Sequence, residues 1–184
     1  MRRTLTLLAG VAASLALSGA ASAPPPSSGD EALISAAVVY NIARFSTWPD
    51  EGPDEGSGEG RATARFFEVC YDRDSGMGDA FATIAGKEVG GRPVRPVAVD
   101  AEAAFERRCH VYYTDRRADA DTLSEAIAHG SLTIGRSEKF LRRGGAVRLR
   151  IDGKPRFSVN VANAHAAGVR PSSKLLRLAE EVVE

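Results

Sequence analysis

The 184-residue sequence has few of the residues from which catalytic and metal sites are built. It contains three histidines, and none has a second histidine or a cysteine at metal-ligand spacing except His110, which follows Cys109 directly. Adjacent residues on a strand point to opposite faces, so this pair would not share a metal. The segment 130–135 lacks the lysine of a phosphate-binding loop, and no Gly-x-Ser-x-Gly motif occurs. We therefore expect no catalytic residues, no metal and no cofactor.

The sequence also has no excess of either charge. It carries 24 basic and 24 acidic residues, for a formal net charge of zero. Without a basic excess it lacks the electrostatic signature of a nucleic-acid-binding domain. After the first two dozen residues, no apolar run approaches the length of about 20 residues that spans a bilayer. We therefore expect no nucleic-acid partner and no direct membrane insertion.

The N-terminus has the three-part pattern of a secretory signal peptide. Arg2 and Arg3 precede an uncharged, largely apolar run over residues 4–17, and small residues follow at 18–23. The run is too short for a bilayer span. We assign residues 1–23 to a signal peptide cleaved near 21–23, with an uncleaved anchor as the alternative. Residues 24–29 form a Pro/Ser tether, and 30–184 form one domain.

Two cysteines are present, Cys70 and Cys109, and both lie in strand-like segments. An even number of cysteines in an exported chain favours a disulfide. Two free core thiols are one alternative. A catalytic thiol at Cys109 with a histidine base is the other, and a disulfide would disable it.

Hydrophobic periodicity and turn residues predict an α/β domain with a mixed, mostly parallel sheet flanked by helices. The clearest signal is Asp152-Gly153 between two alternating segments, which predicts a late β-hairpin. The predicted helices are 30–45, capped by Asp30, then 77–84, 119–129, 160–167 and a last one from Ser172 or Ser173 through Val183; the predicted strands are 64–71, 94–99, 110–114, 132–134, 147–151 and 156–160.

Two weaker features are candidates for binding. Arg170, Ser172, Ser173 and Lys174 precede the last predicted helix, where free N–H groups, hydroxyls and cations would suit an anion. Helix capping with a solvated lysine is the alternative. Trp48, beside Pro49, is a candidate for a partner surface, with core packing as the alternative.

Several segments, in their order, resemble the YfiR family of periplasmic proteins, also called YfiR/HmsC-like. The resemblance extends from about Asp30 to the end of the chain. It rests on an aromatic residue and Asn followed by Phe and Trp48-Pro49, on a Cys109-His110 strand, and on a C-terminal signature that includes Ser172-Ser173-Lys174. The matching segments are 36–49, 86–94, 108–113, 132–135, 144–147, 156–160, 167–169 and 172–179.

The resemblance implies a compact, non-catalytic periplasmic α/β domain that often forms homodimers. In the best-known members, this domain represses an inner-membrane diguanylate cyclase by holding its periplasmic sensor domain, which lowers cyclic di-GMP and biofilm formation. Cys70 and Cys109 fit the positions of a family disulfide. The alternative function is a periplasmic sensor domain that binds a small anion or nucleotide and has no cyclase partner.

The chain departs from the family pattern in two places. A second cysteine pair near the hairpin is replaced by Ala146 and Ile151-Asp152. An acidic, glycine-rich segment over residues 50–60, with five carboxylates and four glycines, follows Pro49. The first departure argues against a switch that uses two disulfides, and the second bears on the choice of partner.

Overall fold

The computed structural model of this chain describes residues 27–49, 65–100, 109–114 and 118–184. The predicted signal peptide, residues 24–26 of the tether and the acidic segment 50–60 lie outside these described residues.

Within them, the chain folds into five α-helices and ten strands, with two short 3₁₀ turns, Arg73–Ser75 and Leu141–Arg143. Most lie where periodicity predicts them. In chain order they are α1 Ser28–Arg44, β1 Ser46–Thr47, β2 Phe67–Asp72, α2 Gly78–Ala82, β3 Glu88–Val89, β4 Arg92–Val99, β5 Val111–Thr114, α3 Ala120–Ala128, β6 Leu132–Gly135, β7 Val147–Asp152, β8 Lys154–Asn160, α4 Val161–Ala166, β9 Arg170–Pro171, α5 Ser173–Leu176 and β10 Glu181–Val183.

Eight strands form one sheet in the order β10-β8-β7-β6-β5-β2-β4-β3, and β1 pairs with β9 in a separate two-stranded ribbon. The central pairs, from β4 through β2, β5 and β6 to β7, are all parallel. The antiparallel pairs of the sheet are β3–β4 and the hairpin β7–β8, whose turn contains Gly153 at φ 85°. The predicted α/β class, with a mostly parallel sheet and a late hairpin, is confirmed.

The sheet separates two buried clusters, because successive strand residues point to opposite faces. The larger cluster joins residues such as Val69 and Val111 to side chains from α1, α2, α4 and α5. The smaller one contains Cys70, Cys109 and Tyr112 with Ala126 of α3 and Val99. The two cysteines thus lie in a small core of their own.

The first helix begins earlier than predicted. Ser27 is its N-cap: the Asp30 amide donates to Ser27 Oγ at 3.3 Å, and the Asp30 carboxylate accepts from the Ser27 amide at 3.1 Å. This reciprocal arrangement is a capping box, so Asp30 is the third helical residue rather than the cap. Ser28 and Gly29, assigned to the tether, belong to α1.

The predicted long C-terminal helix is wrong. The helix α5 ends at Leu176, and residues Glu181–Val183 form β10, parallel to β8. The Glu180 amide donates to the Phe157 carbonyl at 2.8 Å and starts the pairing. Leu178, assigned to the apolar face of the predicted helix, is 66 % exposed. Pairing with β8 supplies backbone hydrogen bonds to this segment at the edge of the sheet, so it does not need to be helical to satisfy them.

The cap of α3 gives a pH-dependent prediction. Asp119 accepts from the Thr122 amide at 2.8 Å, and this hydrogen bond lowers the pKa of Asp119 below its usual value. The ionised Asp119 carboxylate therefore contributes its full stabilisation above its unfolded pKa of about 3.9. This stabilisation is lost as the pH falls through the lower pKa that the carboxylate has in the folded protein. We expect Asp119→Ala to lower the urea midpoint at pH 7, and the difference from wild type to shrink below about pH 4.

The control is Asp119→Asn, because asparagine caps helices about as well as aspartate but carries no charge. Its midpoint at pH 7 should lie between those of wild type and Asp119→Ala, and its difference from Asp119→Ala should not change as the pH falls below about 4. A difference between Asp119→Ala and wild type that persists unchanged into acid would contradict the role of the carboxylate.

Candidate functional site

Cys70 and Cys109 form a disulfide in the structure, with their Cα atoms 5.8 Å apart. Both cysteines are almost completely buried. The bond connects β2 to the residue two before β5, alongside the parallel pairing of Val69 with Val111. With both sulfurs in the bond, neither is available as the thiol nucleophile that the sequence left open.

Trp48 does not lie on the surface, so its interpretation as a partner surface is wrong and the core alternative holds. Its side chain is 2 % exposed, and the indole N–H donates to the Ala43 carbonyl at 3.0 Å. The indole packs edge-on against Phe67, with ring centroids 4.7 Å apart. The β1–β9 ribbon fixes this corner, because Ser46 pairs with Pro171. The Trp48-Pro49 motif therefore has a packing role.

This placement can be measured directly because Trp48 is the chain's single tryptophan. We expect its native fluorescence to be blue-shifted and weakly quenched by acrylamide, since the indole is excluded from water. Addition of a partner protein should leave the emission unchanged. Strong quenching in the folded protein would place the indole in solvent and contradict the structure.

The predicted anion-binding residues lie on β9 and at the start of α5, and two of them contact other groups of the chain. The Ser172 hydroxyl accepts from the Leu175 amide at 3.2 Å and so acts as the helix cap. The helix itself has only four residues. Arg170 is exposed on β9, and the Lys174 ammonium lies over the ring of Phe45, 5.0 Å from its centroid. The Ser172 amide donates to the Phe45 carbonyl at 2.9 Å and fixes this contact.

Lys174 extends a row of cations on aromatic rings along one edge of the domain. Arg44 lies 5.4 Å from the centroid of Tyr40 and 6.0 Å from that of Phe45. The Lys87 ammonium also contacts Tyr40 and lies 5.2 Å from the centroid of its ring. We call Tyr40, Arg44, Phe45, Lys87 and Lys174 the cation–aromatic strip. The sequence pattern indicated Lys174 but not Lys87, because contacts between α1 and the loop before β3 depend on the tertiary fold.

The strip is anchored to the fold while its charges remain in solvent. The Tyr40 hydroxyl donates to the Glu88 carbonyl at 3.3 Å, which joins α1 to β3. Both rings are half-buried against the larger core, and the three cations are exposed. Arg44 also lies in the last turn of α1, where a cation interacts favourably with the helix dipole. The arrangement is a half-buried aromatic base with exposed cations placed over it.

A cleft of about 470 Å³ lies on a different part of the surface, beside the hairpin. Arg142 and Arg148 line it together with Glu138 and Glu181. The neighbouring hairpin arginines are paired internally, since Arg150 contacts Glu180 at 2.6 Å. Mixed charges of this kind do not define one ligand class.

Among the described residues, no group of three or more histidine, cysteine, aspartate and glutamate side chains is arranged to hold a metal ion. In the same part of the chain, no helix combines the length and the apolar character needed to cross a membrane.

The fold and the strip define a small, disulfide-linked α/β domain with exposed cations along the strip. A model of the YfiR/HmsC-like family matches residues 33–180, and the chain belongs to this family. No curated protein sequence matched the chain. Membership supports a regulatory, non-catalytic periplasmic domain that acts in the diguanylate cyclase pathway.

Proposed function

We propose that this protein binds the periplasmic sensor domain of an inner-membrane diguanylate cyclase and represses it, which lowers cyclic di-GMP and biofilm formation. The observation that carries the proposal is the family match over residues 33–180, which covers most of α1 and every element from β1 to α5. In this proposal the chain has no enzymatic activity of its own, and it exerts control only through contact with its partner.

The structure supports a binding role in two ways. The disulfide connects β2 to the residue two before β5, so the centre of the sheet is constrained. The cation–aromatic strip offers charged contacts outside the core. The proposal also requires export, for which the N-terminal pattern of residues 1–23 provides the signal and residues 24–27 a short remaining tether.

The test is intracellular cyclic di-GMP in the native host, with and without the gene. We expect deletion to raise cyclic di-GMP and biofilm, and plasmid-borne wild type to restore both. A version that lacks residues 2–23 is the matched control, because it stays in the cytoplasm and cannot reach a periplasmic partner. An unchanged level after deletion, under conditions where the protein is expressed, would overturn the proposal.

The second candidate is a periplasmic domain that senses a small anion or nucleotide. It is favoured by Arg170 and Lys174, which are exposed and form no ion pair within the described residues. Calorimetric titration with inorganic phosphate and with a nucleoside monophosphate distinguishes the candidates. Binding that Lys174→Ala abolishes would support the second candidate. Heat only of dilution would exclude it for these ligands.

A homodimer is a further part of the proposal and needs its own measurement. Sedimentation of the mature chain at several concentrations would show whether two copies associate without a partner. A single monomeric species at every concentration would remove the dimer from the proposed function.

A further inference from the structure

We infer that the cation–aromatic strip is a docking surface for an acidic segment of a partner protein. The inference rests on the proposed function in one respect, because the partner we expect is the periplasmic domain of the cyclase. It goes further by assigning the contact to five residues and the partner segment to a chemical class.

The first argument is that the cations of the strip have no carboxylate partner among the described residues. Arg44, Lys87 and Lys174 form no ion pair within the described residues. The adjacent Glu88 carboxylate is exposed and is likewise not paired with Lys87. By contrast, several arginines elsewhere are paired, such as Arg136 with Glu31 at 2.6 Å. Within the described residues these three exposed cations have no carboxylate partner, which suits them to bind carboxylates of another protein.

The second argument is the aromatic base beneath the cations. A cation over an aromatic ring gains attraction from the ring quadrupole and has part of its conformational freedom removed. Arg44 contacts both rings, and each lysine contacts one. The side chains are therefore partly ordered before a partner arrives, which reduces the entropic cost of binding.

The spacing favours a row of carboxylates over a single phosphate group. A phosphate site needs several donors directed at one point, commonly with backbone N–H groups of a long helix. Here the cations lie on two separate rings, and the helix that starts beside Lys174 is the four-residue α5, which Ser172 already caps. Successive acidic side chains of an extended or helical segment suit a linear arrangement better.

The burial pattern also argues against a membrane surface. Helices that lie on membranes insert exposed apolar side chains between their cations. Tyr40 and Phe45 are half-buried and lie under the cations rather than beyond them. A protein surface that remains outside the bilayer fits this geometry.

The test compares two triple variants of the mature chain. The strip variant is Arg44→Gln with Lys87→Gln and Lys174→Gln. The control variant is Arg142→Gln with Lys139→Gln and Lys154→Gln, which removes the same charges from exposed sites that have no cation–aromatic contact in the structure. Buried Trp48 fluorescence verifies that both variants are folded.

Binding is measured to three probes: a labelled decaglutamate peptide, the purified periplasmic domain of a cyclase from the same organism, and phosphatidylglycerol vesicles. We expect wild type and the control variant to bind the first two, and the strip variant to bind them about tenfold more weakly or worse. The wild-type affinity should fall with added salt, with a smaller slope for the strip variant.

The outcomes separate this inference from the proposed function. Equal binding of the cyclase domain by wild type and strip variant would overturn the inference and leave the repressor proposal intact. No binding of the cyclase domain, with strip-dependent binding of decaglutamate, would support the surface and remove the proposed partner. Strip-dependent binding of vesicles alone, or no strip-dependent binding at all, would overturn the inference.

Discussion

Replacing both Cys70 and Cys109 with alanine is expected to lower the free energy of unfolding by about 4 kcal/mol. The two cysteines are separated by 39 positions, and the crosslink restricts the unfolded chain over that loop. For a domain whose total stability is about 5–15 kcal/mol, this is a large fraction. Chemical denaturation with urea under oxidising conditions measures the loss directly.

The redox state supplies the control. Wild type in dithiothreitol should lose most of the same stability, whereas the double variant should respond little to reductant because it has no thiols. The double substitution is preferred to Cys70→Ser alone, because the single variant leaves Cys109 as a buried free thiol. Equal deficits of the variant in oxidising and reducing buffer would show that packing in the smaller core, rather than the crosslink, causes the loss.

The disulfide shows which part of the fold could be predicted from the sequence and which part could not. Cysteine number and strand context favoured a bridge, and the family resemblance supported this pair. The register that makes the bond geometrically accessible, with Val69 opposite Val111, depends on β2 and β5 being neighbours. In the sheet, β2 lies between β4 and β5, and no local sequence pattern encodes this strand order.

The C-terminus shows where periodicity fails. The apolar residues of 175–183 suit a helix or a strand, so the choice depends on what is available nearby. The outer edge of β8 offers carbonyl and amide groups for pairing, and Val182 and Val183 have β-branched side chains that favour a strand. The structure therefore ends α5 after one turn and adds a sheet edge. To predict β10, one must first know that β8 lies at this edge of the sheet.

The candidate binding residues were also only partly predictable from local sequence. Lys174 was recognised from its local context, but the strip also needs Tyr40 and Lys87, which come from two other parts of the chain. Local sequence contains one useful signal, since Tyr40 and Arg44 are four residues apart on one helix face. Trp48 gave a misleading one, because an aromatic residue beside proline at a helix end suits a surface as well as a core.

Phe140→Ala is expected to have the second largest effect, a loss of about 3–5 kcal/mol. The ring is buried between two glycines, Gly135 of β6 and Gly145 before β7. A Cβ built on either glycine would overlap the ring, and one on Gly135 would also lie 2.8 Å from the Thr114 carbonyl. The ring thus fills the space that the two missing side chains leave, and its removal creates a cavity under the β6–β7 connection. Urea denaturation at neutral pH measures the change.

A double-mutant cycle with Gly145→Ala tests whether ring and glycine are matched. In wild type, the added methyl group should cost about 1–3 kcal/mol by overpacking. In the Phe140→Ala background the same change should cost little, because the methyl group enters the cavity. Gly144→Ala is the control: its φ of 99° disfavours any side chain, and no atom lies within 4 Å of the added Cβ, so its cost should be equal in both backgrounds. If Gly145→Ala also cost the same in both, backbone conformation rather than the Phe140 ring would be what requires glycine there.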